Sequence, residues 1–154
     1  MKKFLWFALF FPFVAMAQTQ PETEAWILAQ ASAHYNLDLS YQIEEGEFIS
    51  TLKGYETRYK TSLPIKDITS ISYLHTDRFL SFQFKCKDEC AYLLITDNYD
   101  KYISDQKKTG FLFELYGKID ASMIPRIQKA LLHLIEIQGG KAQLVPYQKP
   151  KEAF

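Results

Sequence analysis

The sequence predicts an α+β fold: an antiparallel curved sheet or split barrel of about seven strands, capped by a C-terminal helix, with an additional N-terminal helix. Three observations carry this expectation. Between Leu37 and Tyr116 apolar residues recur at alternate positions in short runs, the period of half-buried strands. Most connections between the runs are of hairpin length, which makes neighbouring strands antiparallel. From Ile124 to Ile135 the apolar spacing becomes helical. Strands followed by a helix is α+β order, and a twisted sheet of this size curls or splits into two packed layers.

Residues 1–17 read as a signal peptide. Met1-Lys2-Lys3 is a positive start, and Phe4 to Val14 is an apolar run, short of the roughly 20 residues that span a bilayer. Ala15-Met16-Ala17 supplies the small-x-small cleavage pattern, leaving Gln18 first. No Cys stands at the cleavage point, so no lipid anchor is expected. The short Lys-Lys start and compact apolar run look bacterial, which predicts a periplasmic or secreted product. Residues 18–140 then form one α+β domain, and 141–154, with two prolines and four charges, a flexible tail.

Thr19-Gln20-Pro21-Glu22 has the form of a capping box with Pro in the first turn. It opens a helix over 21–35 whose apolar residues are Ala25, Trp26, Leu28, Ala29 and Ala33. Leu37, Leu39, Tyr41 and Ile43 alternate as a first strand. The acidic turn Glu44–Glu47 returns the chain into Phe48–Leu52. Gly54 marks a bend or bulge, and Tyr55, Thr57 and Tyr59 begin a third strand that Leu63-Pro64 breaks. A fourth strand runs over 65–75. In Phe79–Cys86, Leu80, Phe82, Phe84 and Cys86 share one face. Lys87-Asp88-Glu89 is a tight loop before a sixth strand, Cys90–Thr96. Residues 97–110 read as a long polar loop, and Phe111–Tyr116 as the seventh strand. Asp120 or Ser122 caps a helix over 122–138, with Ile124, Ile127, Leu131, Leu134 and Ile135 as its stripe, widened by Ala130 and Ile137. Gly139-Gly140 ends it.

Over Leu37–Gly140 this element order resembles the pleckstrin-homology-like fold, a seven-stranded, partly open barrel capped by a C-terminal helix; the N-terminal helix departs from it. The segments Lys66-Asp67-Ile68-Thr69-Ser70-Ile71-Ser72-Tyr73 and Arg126 to Gly140 (RIQKALLHLIEIQGG) are similar to segments of small uncharacterised exported proteins from Bacteroidota. That resemblance implies origin and fold and brings no catalytic residues. The phosphoinositide binding that a pleckstrin-homology-like fold suggests does not carry over, because the chain reads as exported and lacks a basic strand-loop cluster.

The chain balances 18 basic against 18 acidic residues, and loss of Lys2 and Lys3 leaves 16 against 18. This argues against nucleic acid, which calls for a basic face, and against electrostatic attachment to anionic lipid. No second apolar segment is long enough to span a membrane.

Cys86 and Cys90 are the two cysteines. In an oxidising compartment a close pair is most simply a disulfide; half of a metal site and a redox pair are the alternatives. Placed across a hairpin, their Cα atoms would lie about 4.5–5.5 Å apart, within disulfide reach. Closing so short a loop contributes about 2 kcal/mol in the chain-entropy model. His34, His75 and His133 are scattered, and no nucleophile has a recognisable local setting. His75-x-Asp77 is a conceivable orienting pair. Asp97-Asn98-Tyr99-Asp100-Lys101-Tyr102 groups oxygen ligands, yet Tyr99 and Lys101 stand where calcium requires acids.

No catalytic residue, metal-ligand set or cofactor is therefore nominated. The expected function is non-enzymatic binding, or an accessory role in the cell envelope, for an unknown protein, peptide or small-molecule ligand. The surface expected to carry it is the loop 97–110 with the neighbouring strand tips, through Tyr99, Tyr102 and Ile103; long loops are often functional, and tyrosines suit recognition. Tyr41, Tyr55, Tyr59, Tyr73 and Tyr92 are a candidate aromatic sheet face, and a groove between sheet and helix is a second possible location. A small secreted hydrolase built on scattered carboxylates or His75 is the alternative.

Overall fold

The computed structural model describes residues 19–148; the leader expected at 1–17 and the last six residues of the tail lie outside them. Two helices and nine strands run in the order α1 (Gln20–Ala33), β1 (Leu39–Glu44), β2 (Glu47–Lys53), β3 (Thr57–Pro64), β4 (Ile68–His75), β5 (Phe79–Cys86), β6 (Ala91–Asp97), β7 (Tyr102–Lys108), β8 (Gly110–Tyr116), α2 (Met123–Ile137) and β9 (Gln143–Leu144). The α+β class and the C-terminal helix after the strands are as expected. The strands form two open sheets, β1-β2-β3-β6-β7 and β8-β5-β4-β9.

Three alternate connections pass from one sheet to the other, with the hairpins β4–β5 and β6–β7 between them. A single 3-10 turn, Ile65–Asp67, links β3 to β4. Lys87–Cys90 links β5 to β6, and Thr109 links β7 to β8. In the first sheet β3 pairs with β6 and β6 with β7; in the second, β4 pairs with β5 and β5 with β8. The architecture is thus one antiparallel meander folded over along a line of corners, so that its two halves face each other.

The corners correct two expectations. Cys86 and Cys90 are disulfide-bonded with Cα atoms 6.1 Å apart, but they do not flank a hairpin, because β5 and β6 belong to different sheets. The bond ties a sheet-to-sheet corner. The Cys86 N–H donates to Thr109 O, 3.2 Å, which binds the adjacent corner to it. Gly110 is required there: a Cβ at that position would stand 2.7 Å from Phe84 O.

The second correction is that 97–110 is not a loop. It is a short turn followed by β7, paired with β6 from Ala91↔Lys108 to Thr96↔Tyr102. All its residues but Ser104 are exposed. An edge strand with both faces in water carries no hydrophobic alternation to read. The strand number rises further because Gln143–Leu144, expected as tail, pairs parallel with Ser70–Ile71. Other boundaries move slightly. β3 begins at Thr57 and runs through Pro64, and Ile65–Asp67 belongs to the 3-10 turn, not to a strand.

The aromatic centre between the sheets is built by Phe48 from one side and Phe82, Phe84, Phe111 and Phe113 from the other. Phe48 lies 5.3 Å from Phe84 and 6.1 Å from Phe113, ring centre to ring centre. Helix α2 adds Ile124, Ile127, Leu131, Leu134 and Ile135 to the same core, as its periodicity predicts; Ile137 stays exposed. The Asp120 carboxylate accepts the Ser122 N–H at 2.8 Å before the helix, and this bond lowers its pKa. Helix α1 buries Thr23, Ile27 and Ala31, a stripe four residues apart, and leaves Ala25, Ala29 and Ala33 exposed. The apolar residues expected to form its face are therefore largely not the buried ones. Its capping box forms in the expected sense, with Glu22 accepting the Thr19 N–H at 2.9 Å. Arg126 of α2 stacks over Trp26 of α1 at 5.8 Å. At the β1–β2 turn Glu45 and Gly46 have φ of 49° and 80°, the pair of positive angles that a two-residue hairpin requires.

Candidate functional site

Cross-strand register sorts the first sheet into two faces. Partners directly opposite each other point the same way. Tyr41, Ser50, Thr61 and Leu93 form one row of the inner face, and Leu39, Leu52, Tyr59 and Ile95 the next. The row above them, Ile43, Phe48, Leu63 and Ala91, carries the core residues Phe48, Leu63 and Ala91.

The second sheet ends at β8, which meets Tyr41 but leaves the other residues of the two lower rows half-buried or exposed. What remains is a groove of about 510 Å³ between the inner face and the outer edge of β8, a size typical of ligand sites. Leu39, Leu52, Tyr59 and Leu93 make its floor, and Phe111 and Leu112 its wall. Lys108 stands at the β7 end. Glu114 lies along β8, where its carboxylate accepts the Tyr116 hydroxyl at 3.0 Å. Burial first, and this bond second, push the Tyr116 pKa up.

Tyr41 holds the groove's back wall. Its hydroxyl accepts the Glu114 N–H at 2.7 Å and donates to Leu112 O at 3.4 Å. It stands in for a neighbouring strand on the open edge of β8. Tyr116 N–H is satisfied in the same way by His34 O at the end of α1, 2.7 Å. Burial raises the Tyr41 pKa far above the phenol range, so the hydroxyl stays neutral and able to donate. Tyr41→Phe leaves the Glu114 N–H without its partner. It is expected to cost about 1–3 kcal/mol, read as a lower urea midpoint with an unchanged slope.

The tyrosines expected to share a sheet face do not. Tyr41 and Tyr59 face inward, Tyr92 lies on the outer face, Tyr55 is on the β2–β3 turn and Tyr73 belongs to the second sheet. Of the three residues expected to bind ligand, Tyr102 sits at the start of β7 on the outer face, opposite Thr96. Its hydroxyl donates to Asp105 at 2.5 Å. Tyr92 also bonds to Asp105, and the two phenols lower the Asp105 pKa. Ile103 is the extra residue of a bulge. Tyr99 stands on the β6–β7 turn, which Asp97 fixes by accepting the N–H groups of Tyr99 and Lys101 at 2.9 and 2.8 Å. None of the three lines the groove.

The three histidines lie apart: His34 at the end of α1, His75 at the end of β4 bonded to Ile119 O at 3.1 Å, and His133 on α2. Among the described residues no three His, Cys, Asp or Glu side chains gather as a metal site, and no helix is long and apolar enough to cross a membrane. The groove residues Leu39, Leu52, Tyr59 and Leu93 read from sequence only as half-buried strand positions. Nothing local signals that the opposing sheet stops short of them. No family model, curated protein or solved structure matches the chain.

Proposed function

We propose that this is an exported, non-enzymatic binding protein of the cell envelope, and that it takes an amphiphilic ligand in the groove between the first sheet and β8. The observation that carries this is the groove's lining: an apolar floor in a cleft of about 510 Å³, with Lys108 and Glu114 as its charged lining residues. Such a lining favours an apolar chain along Leu39, Leu52, Tyr59 and Leu93, with an anionic head near Lys108. The hydrophobic effect supplies the affinity and the few polar groups orient the ligand. A hydrolase requires two or more titratable groups converging on one bond. Glu114, the groove's carboxylate, is already engaged by Tyr116. The Cys86–Cys90 disulfide is compatible with an oxidising compartment.

The test is titration of the purified protein, residues 18–154, with a fluorescent long-chain fatty acid, followed by displacement with an unlabelled one. Saturable, one-site, competable binding is expected. Fluorescence that rises linearly without saturation would refute the reading.

A further inference from the structure

The five most exposed large apolar side chains among the described residues are Tyr55 (95%), Tyr99 (91%), Leu37 (84%), Tyr35 (63%) and Tyr102 (60%). All five lie at one end of the first sheet. Strand pairing brings that end together: Lys53 is opposite Arg58, Thr57 opposite Asp97, and Thr96 opposite Tyr102. The link from α1 joins them, since the Lys53 N–H donates to Asp38 O at 2.7 Å. The tips are also tied to each other. Asn98 donates to Tyr55 O at 2.9 Å, and Arg58 pairs with Asp100. They form a braced set of protrusions.

We propose that this end docks on the surface of a phospholipid bilayer, with Leu37, Tyr55 and Tyr99 entering the interfacial region. Three features select this occupant. Tyrosine, apolar along the ring and polar at the tip, favours the boundary between water and lipid. The protrusions come from three separate connections. A fluid interface accepts each of them, whereas a protein partner would require a matching pocket for each. The charges around them nearly cancel, with Lys53, Arg58 and Lys101 against Asp38, Glu56, Asp97 and Asp100. That balance suits a zwitterionic surface and gives no attraction to anionic lipid. The groove's lower row, Leu39, Leu52 and Tyr59, lies next to this end, just inside the β2–β3 turn. Docking there would bring an acyl chain close to the groove. This last step rests on the groove reading above; the docking itself does not.

The test is flotation of the protein, residues 18–154, with vesicles of pure phosphatidylcholine and with vesicles that also contain phosphatidylglycerol, at low and high salt. Association with pure phosphatidylcholine is expected, with little change on adding phosphatidylglycerol or salt. The triple variant Leu37→Ser, Tyr55→Ser, Tyr99→Ser is expected to lose at least about tenfold in bound fraction and to keep its circular dichroism and its binding of free fatty acid. No association with phosphatidylcholine, association only with anionic vesicles, or an unaffected triple variant would each overturn docking. Fatty-acid binding that persists while vesicles fail overturns docking alone. Vesicle binding without fatty-acid binding overturns the groove reading alone.

Discussion

Phe113→Ala is expected to lower the stability of the protein by about 3–5 kcal/mol, the largest loss from any single side chain considered. Phe113 is fully buried in the middle of β8. Its ring lies 4.9 Å from Tyr41 and 6.1 Å from Phe48 in the first sheet. It lies 6.3 Å from Phe82 and 6.4 Å from Phe84 in its own. It is therefore in contact with both layers at once. Aromatic neighbours cannot collapse into the space a lost ring leaves, so the cavity cost adds to the lost transfer free energy. Against a total of roughly 5–15 kcal/mol for a domain, a substantial unfolded fraction follows. Urea unfolding followed by tryptophan fluorescence measures it, with Tyr55→Ala as the exposed control expected to stay within about 0.5 kcal/mol. A change below about 1 kcal/mol would show that the two sheets do not pack through this ring.

Ser50→Trp is expected to reduce fatty-acid binding by at least about tenfold while leaving stability nearly unchanged. Ser50 sits on the inner face of β2, between Tyr41 and Thr61, and lines the groove. A tryptophan there suits a strand and fills space that the ligand would occupy. About 1.4 kcal/mol of lost binding free energy already corresponds to tenfold, and blocking a chain of several CH₂ groups at about 0.8 kcal/mol each exceeds that. The same titration as for the unaltered protein reads the effect. Ser62→Trp, on the opposite face of the sheet at β3, is the control and should bind normally.

Much of the fold was legible because its signals are local. The alternation in Phe79–Cys86 and the 3.6-residue spacing from Ile124 to Ile135 follow from which face each residue buries, and the structure buries those faces. The cysteine pair was legible from its spacing, though not the corner it ties. What stayed hidden depends on strands distant in sequence. β7 is polar on both sides because nothing packs on either, so Tyr102–Lys108 carries no period. The stripe Thr23, Ile27, Ala31 was obscured by a helix in which apolar residues occur all round. The groove is a consequence of sheet width. Leu39 and Leu93 look like any half-buried strand residue until β8 is seen to be the last strand on that side of its sheet. The exposure of Tyr99, Tyr102 and Ile103 was legible, but they gather with Tyr55 and Leu37 at the strand tips, outside the groove.

The most direct test of the central claim is a two-dimensional ¹H–¹⁵N spectrum of the isotopically labelled protein titrated with a long-chain fatty acid. Progressive shifts confined to the amides of Leu39, Ser50, Leu52, Tyr59, Leu93 and Leu112 are the predicted result. Shifts confined to the outer face around Tyr92 and Tyr102, or to α2, or no shifts at all, would contradict it.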